Sequence, residues 1–202
     1  MAEPVLWDEI YTARGEDPSR EPNPQLVAEA SDLAPGVALE IGCAEGSDAA
    51  WLATRGWRVT AVDISGVALE RARRASAALA DRIDWVQADL LEWAPPVAAY
   101  DLVTSHFVHF LPNDRATAIP RLADAVRQRG TLLIVAHDPS DLQTTVKRWP
   151  VPEAYCSAQG FAALLAPNEW EILVAEARPR GVHDADGNAV TVHDAILKAR
   201  RR

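Results

Sequence analysis

Short apolar runs alternate with stretches of helical spacing from residue 37 onward, and that alternation predicts a layered α/β fold. The run at 37–41, Val-Ala-Leu-Glu-Ile, reads as a first buried strand. Ser47 is placed to cap the helix that follows, Ala49 to Ala53 form its body, and Gly56 stops it. Residues 57–63 make a second strand closing on Asp63. Ser65 caps a second helix with Val67, Ala68, Ala72, Ala75 and Leu79 on one face, leaving Arg71, Arg73 and Arg74 on a face expected to be solvated. A third strand at 83–87 ends near Asp89, and Pro95-Pro96 breaks the loop beyond it. The fourth strand, 100–105, runs into His106-Phe107-Val108-His109-Phe110. Asp114 is placed to cap a helix carrying Ile119, Leu122, Ala123 and Val126, kinked or restarted at Pro120 and stopped by Gly130. Residues 131–136 are almost wholly apolar, as a central parallel strand is. Ser157 opens a helix closed by Pro167. Strands at 170–175 and 190–198 flank the turn signal Asp186-Gly187, and with no helix between them they pair antiparallel. Five βα units and a terminal hairpin predict a Rossmann-like three-layer α/β sandwich. Its seven-stranded sheet is mostly parallel with an antiparallel last strand, in one domain over residues 1–202.

The first 25 residues break the pattern. Trp7-Asp8-Glu9-Ile10-Tyr11 makes a short amphipathic turn, after which Gly15, Pro18, Pro22 and Pro24 favour loop. Aromatic side chains on such an arm need a surface to cover, either core or a lid over a ligand. A short helical face follows from Leu26 to Asp32.

Composition narrows the function. The 202 residues carry a formal net charge of -9, which argues against a nucleic-acid partner. The two cysteines, Cys43 and Cys156, have no disulfide or zinc spacing, and no metal site is expected. The start lacks a basic, apolar leader, and no apolar run approaches the roughly 20 residues of a membrane span. The chain reads as soluble and cytoplasmic, a monomer or homodimer.

The turn after the first strand carries the chemistry. A dinucleotide fingerprint would place glycine at the positions of Gly42, Ala44 and Ser47, and two of the three fail. What stands instead is Glu40-x-Gly42-x-Ala44-x-Gly46, with Asp63 and Asp89 closing the next two strands. Together with Val59-Thr60-Ala61-Val62-Asp63-Ile64-Ser65, Gln87-Ala88-Asp89-Leu90-Leu91 and Tyr100-Asp101-Leu102-Val103, this set resembles the motifs of class I S-adenosylmethionine (SAM)-dependent methyltransferases. The nearest flavour is small-molecule enzymes similar to the tellurite and thiopurine methyltransferases, which also tend to carry an aromatic arm.

The resemblance implies SAM as cofactor and S-adenosylhomocysteine (SAH) as product. It implies that Gly42, Cys43, Ala44 and Gly46 let backbone approach the methionine end, with Glu40 orienting the turn. Asp63 would take the ribose hydroxyls and Asp89 the adenine amino group, with Ile64 and Leu90 against the ring and Ser105 near the sulfonium. If Ala44 needs a positive φ, it costs about 1 kcal/mol relative to glycine. His106 and His109 are the catalytic candidates; Trp7, Tyr11, His106, His109, His137 and Tyr155 would form the acceptor pocket, with Trp149 joining an aromatic lid. Methyl transfer is an in-line displacement that alignment alone can carry, with a base needed only where the acceptor must lose a proton. The alternative is a non-catalytic SAM- or SAH-binding protein of the same fold.

Overall fold

The computed structural model describes residues 4–16, 21–146 and 148–202. The readings of residues 1–3 and of Pro18 fall outside them. Two helices, α1 (Pro4–Arg14) and α2 (Pro24–Ala30), precede the sheet. Then come β1 (Val37–Ile41), α3 (Ser47–Thr54), β2 (Arg58–Asp63), α4 (Gly66–Ala75), β3 (Ile83–Gln87) and β4 (Tyr100–His106). The chain continues through α5 (Pro112–Ala125), β5 (Val126–His137), α6 (Ala158–Ala162), β6 (Trp170–His183) and β7 (Ala189–Arg201).

The seven strands form one sheet in the order β3-β2-β1-β4-β5-β7-β6. Only β7 runs against the rest, antiparallel to β5 on one side and to β6 on the other. Order reverses between β1 and β4, and such a switch point opens a crevice at the carboxyl edge of the sheet. Successive residues on the central strands go to opposite faces. Leu39, Val103 and Leu132 join Ile119 and Leu122 of α5 on one face, whereas Ala38, Leu102 and Leu133 meet Leu26, Leu52 and Leu69 of α2, α3 and α4 on the other. Those two apolar layers hold the edge residues in place.

Several local expectations are corrected. The Trp7–Tyr11 segment belongs to a three-turn helix rather than a short turn. Ser47 is the first residue of α3, and its cap is Gly46, at φ 82° with no side-chain bond. Ser65 does cap α4, accepting from Ala68 N. The helix stops at Ala75, so Leu79 lies in a separate 3-10 turn. No helix follows β3, which leaves four strand-helix units rather than five. Leu111 rather than Asp114 precedes α5 and makes no side-chain cap bond, and Pro112, which opens the helix, has no N–H in need of an acceptor. Gly130 does not end α5. Val126 already pairs with Tyr100, and residues 127–130 bulge opposite Asp101 before Thr131 pairs with Leu102, with Arg129 at φ 64°. Arg71 is not solvated. Its guanidinium lies inward on Glu45 and on two carbonyls at the end of the arm. Among the described residues, no helix is long and apolar enough to cross a membrane.

Candidate functional site

The ends of β1, β2, β3 and β4 surround a cavity of about 670 Å³, within the ~300–1,000 Å³ of small-molecule sites. The turn after β1 forms its floor. Gly42 sits at φ 73° and Gly46 at φ 82°, and a Cβ on either would run into Val108 or Trp85. Ala44 between them is at φ 51°. Of the three left-handed positions in this turn, Ala44 is the one without a glycine, and it carries that strain.

Three carboxyl groups face this floor. Glu40 is 3% exposed, and its Oε2 has no hydrogen-bond partner. Burial first, then the charges of Asp48 and Asp63, push its pKa well above the ordinary carboxylate value. Such an orphaned acid in a cavity wall is a place for a cationic group. Asp63 accepts from Ala44 N at 2.8 Å and from Ser65 N at 2.9 Å. Burial nonetheless raises its pKa. Each of its oxygens keeps a free lone pair for a ligand hydroxyl. Asp89 folds back on its own chain, accepting from Leu91 N at 2.8 Å, and borders the cavity with Ile64 and Leu90. Cys43 is a free, buried thiol in the same turn, its pKa raised mainly by burial.

The arm closes one side. Asp8 Oδ1 accepts from Ser65 Oγ at 2.6 Å and from Val67 N at 3.1 Å, which adds a carboxylate to the Ser65 hydroxyl as a cap at the start of α4. Those bonds hold the Asp8 pKa below its ordinary value. From the other end, Arg71 donates to Tyr11 O, Gly15 O and Glu45 Oε1. Tyr11 is buried beside Asp63 and Glu45, and burial pushes its phenol well above the usual value.

The ends of β4 and β5 supply the opposite wall. His106 is locked. Asp48 Oδ2 lies 2.6 Å from Nδ1 and Thr104 Oγ1 2.6 Å from Nε2. A carboxylate only accepts, so Nδ1 carries a proton toward Asp48, and Nε2 faces the threonine hydroxyl. His109 is the reverse case: neither ring nitrogen has a partner. Burial and the Arg148 charge lower its pKa to about 4, leaving it neutral at physiological pH. The His109 ring lies 4.0 Å from that of Trp149 at 11°, and Trp7 lies 5.4 Å from Trp149 at 7°. Trp7 and His109 are 6.1 Å apart. Two stacking gaps of about 3.5 Å would separate them by about 7 Å if Trp149 lay between them, so both occupy the same face of Trp149. Trp149 thus tiles over the arm and the body together. Its backbone is clamped by Tyr155 Oη, which accepts from Trp149 N and donates to Trp149 O, both at 3.1 Å. Neighbouring Arg148 is anchored on Asp141 and Asp194, each at 2.8 Å.

Of the residues singled out by sequence, Glu40, Gly42, Cys43, Ala44, Gly46, Asp63, Ile64, Asp89 and Leu90 all border this one cavity, as do Trp7, Tyr11, His106 and His109. Three do not. Ser105 alternates away from Thr104 and His106 and is buried under the strand. His137 and Tyr155 stand one layer back, His137 packing 4.7 Å from Phe107 and 5.3 Å from His109. Burial lowers the pKa of His137 to about 3. Sequence reading missed Asp48, Asn23 and Arg71. Asp48 Oδ1 accepts from Asn23 N at 2.6 Å while Oδ2 holds His106, a link between segments far apart in the chain. No grouping of three metal-binding side chains occurs among the described residues.

Sheet order, switch-point cavity and strand-end acids define a class I methyltransferase fold. Residues 38–130 match the family model described as a methyltransferase domain. An uncharacterized methyltransferase of Mycobacterium tuberculosis is 39% identical over 97 residues, 48% of either chain. A trans-aconitate 2-methyltransferase of Azoarcus sp. is 34% identical over 134 residues, 65% of this chain and 50% of the relative. The chain spans about half the length of these curated relatives. Among solved structures, one from work on the conversion of a disulfide bond into a thioacetal group during echinomycin biosynthesis aligns with a TM-score of 0.77. It is 22% identical and covers 98% of this chain and 92% of that one. TehB from Haemophilus influenzae aligns with a TM-score of 0.72 at 18% identity, over 98% of this chain and 67% of that one. The chain has the fold of the class I SAM-dependent methyltransferases, and residues 38–130 carry its similarity to a methyltransferase domain.

Proposed function

We propose that this chain transfers a methyl group from SAM to an oxygen, nitrogen or sulfur nucleophile of a small molecule. The observation that carries the reading is the buried, partnerless Glu40 carboxyl facing the same cavity as Asp63 and Asp89. An ammonium group at Glu40, a pair of hydroxyls at Asp63 and an amino group at Asp89 fit the polar groups of SAM. When bound, SAM supplies a methyl group on a positively charged sulfur that leaves as a neutral thioether. The chain's own part is to hold and align. The turn at Gly42–Gly46 brings backbone close, Asp48 and Thr104 fix the His106 ring, and the Trp7–Trp149–His109 roof excludes water from the reacting end. His109 offers the only imidazole nitrogens at the cavity, among the described residues, that no protein group already engages. The arm, residues 1–25, acts as lid to a single domain, and the same reading keeps the chain in the cytoplasm, as a monomer or homodimer.

Isothermal titration with SAM and SAH tests this. Asp63→Ala is expected to weaken both at least tenfold, and an unchanged affinity would overturn the site. The locked His106 favours a second reading, binding without turnover. Labelled methyl transfer to any acceptor rules it out. The name of the Azoarcus relative suggests a polycarboxylate acceptor for this chain, but the charge of the cavity wall argues for another class.

A further inference from the structure

The acceptor's charge and chemistry are legible in the part of the cavity that the cofactor anchors leave, an argument that rests on the methyl-transfer reading above. Beside the anchors Glu40, Asp63 and Asp89, the cavity is lined among the described residues by the carboxyl groups of Glu21, Glu45, Asp48 and Asp114, against the single guanidinium of Arg14. Arg14 itself reaches Glu45 at 3.6 Å. Guanidinium groups on the bordering segments are committed elsewhere. Arg148 is held by Asp141, Asp194 and the His193 carbonyl. Arg115 is held by the carbonyls of Phe110, Glu153, Ala154 and Tyr155. His109 is neutral at physiological pH. A carboxylate entering here would give up its hydration and meet like charge in return.

The wall at this end is otherwise apolar, built from Trp7, Val108, Phe110, Leu111, Trp149 and Val151. His109 interrupts it with two buried nitrogens that no protein group satisfies. A neutral imidazole presents one donor and one acceptor, which suits a hydroxyl, amine or thiol that must be both oriented and relieved of its proton. Tryptophan faces favour flat partners over branched ones.

We infer that the acceptor is an uncharged, ring-bearing molecule whose hydroxyl, amine or thiol hydrogen-bonds to His109 while its ring lies against the tryptophan-lined wall, and that carboxylate-bearing acceptors are excluded.

Calorimetry on the full chain saturated with SAH tests this at neutral pH, using 2-naphthol, 2-naphthoate and citrate as probes. 2-Naphthol is expected to bind, 2-naphthoate at least tenfold more weakly, and citrate not measurably. His109→Leu should weaken 2-naphthol about tenfold, and His109→Gln, which keeps a donor and an acceptor, should recover part of the loss. The SAH titration of each variant reports whether its cavity is intact. 2-Naphthoate or citrate binding as tightly as 2-naphthol overturns the inference, as does failure of 2-naphthol to bind or its indifference to both substitutions. Failure of the wild-type chain to bind SAH overturns the methyl-transfer reading and this inference with it, whereas SAH binding with a preference for anions overturns the acceptor class alone.

Discussion

At the scale of single residues, the turn after β1 and the acid beneath it work against local stability. Ala44 holds a φ of 51° that alanine disfavours. Ala44→Gly should therefore stabilise the protein by about 0.5–1 kcal/mol, a rise in melting temperature of a few degrees for a chain this long. Thermal unfolding measures it, and no gain would mean that the turn tolerates the Cβ. Glu40 shows a different tension. Its folded pKa is raised, so whatever it contributes is present below its unfolded value and is lost as pH rises through the folded one. Glu40→Gln should make the ligand-free protein more resistant to unfolding at alkaline pH while weakening SAH binding, two readouts that a merely structural carboxyl would not move in opposite directions. This is the stability–function conflict expected at binding sites.

At the scale of elements, the arm is a helix seated on α4. Asp8 supplies side-chain oxygen to Ser65 and Val67, and Arg71 grips the far end of α1. Asp8→Ala should cost about 1 kcal/mol of cap and loosen α1. Faster amide hydrogen exchange in residues 4–14, with β1 and β4 unchanged, is the expected outcome. Here the limits of sequence reading have physical causes. β1, β4 and the core of β5 were legible because each carries a short run of apolar residues suited to a buried strand, and Ser65 was legible as a cap because a cap acts within three residues. The arm's helix was not, since nearby prolines and glycine signal loop while its stability comes from contacts with α4. Arg71 was misplaced because helical periodicity cannot tell a solvated arginine from one that meets a buried acid. The strand-end acids announced themselves by position. Trp149 was legible as part of an aromatic lid, though its stacking on His109 was not, and the Asp48–His106 pair stayed hidden because it joins segments that only the completed fold brings together.

At the scale of the whole molecule, acid should undo the roof side of the fold. The pKa of His109 falls to about 4 and that of His137 to about 3, both from burial first and then from the Arg148 charge. Because both folded values lie below the unfolded value of 6.5, the unfolded chain binds more protons in between. Their contribution is complete above about 6.5 and is lost as pH falls toward 3. Asp194, whose pKa is lowered by its bonds to Arg180 and Arg148 despite burial, adds to the loss at the acid end. Denaturant unfolding across this range should show stability declining with acid, and the double substitution His109→Phe with His137→Phe should flatten the upper part of that decline. One further consequence belongs to Trp149. Its indole lies nearly parallel to that of Trp7, one ring carried by the body and the other by the arm. Two indoles in that arrangement couple their electronic transitions. The chain therefore carries its own optical gauge, and near-ultraviolet circular dichroism can follow the seating of the arm on the body with no added label.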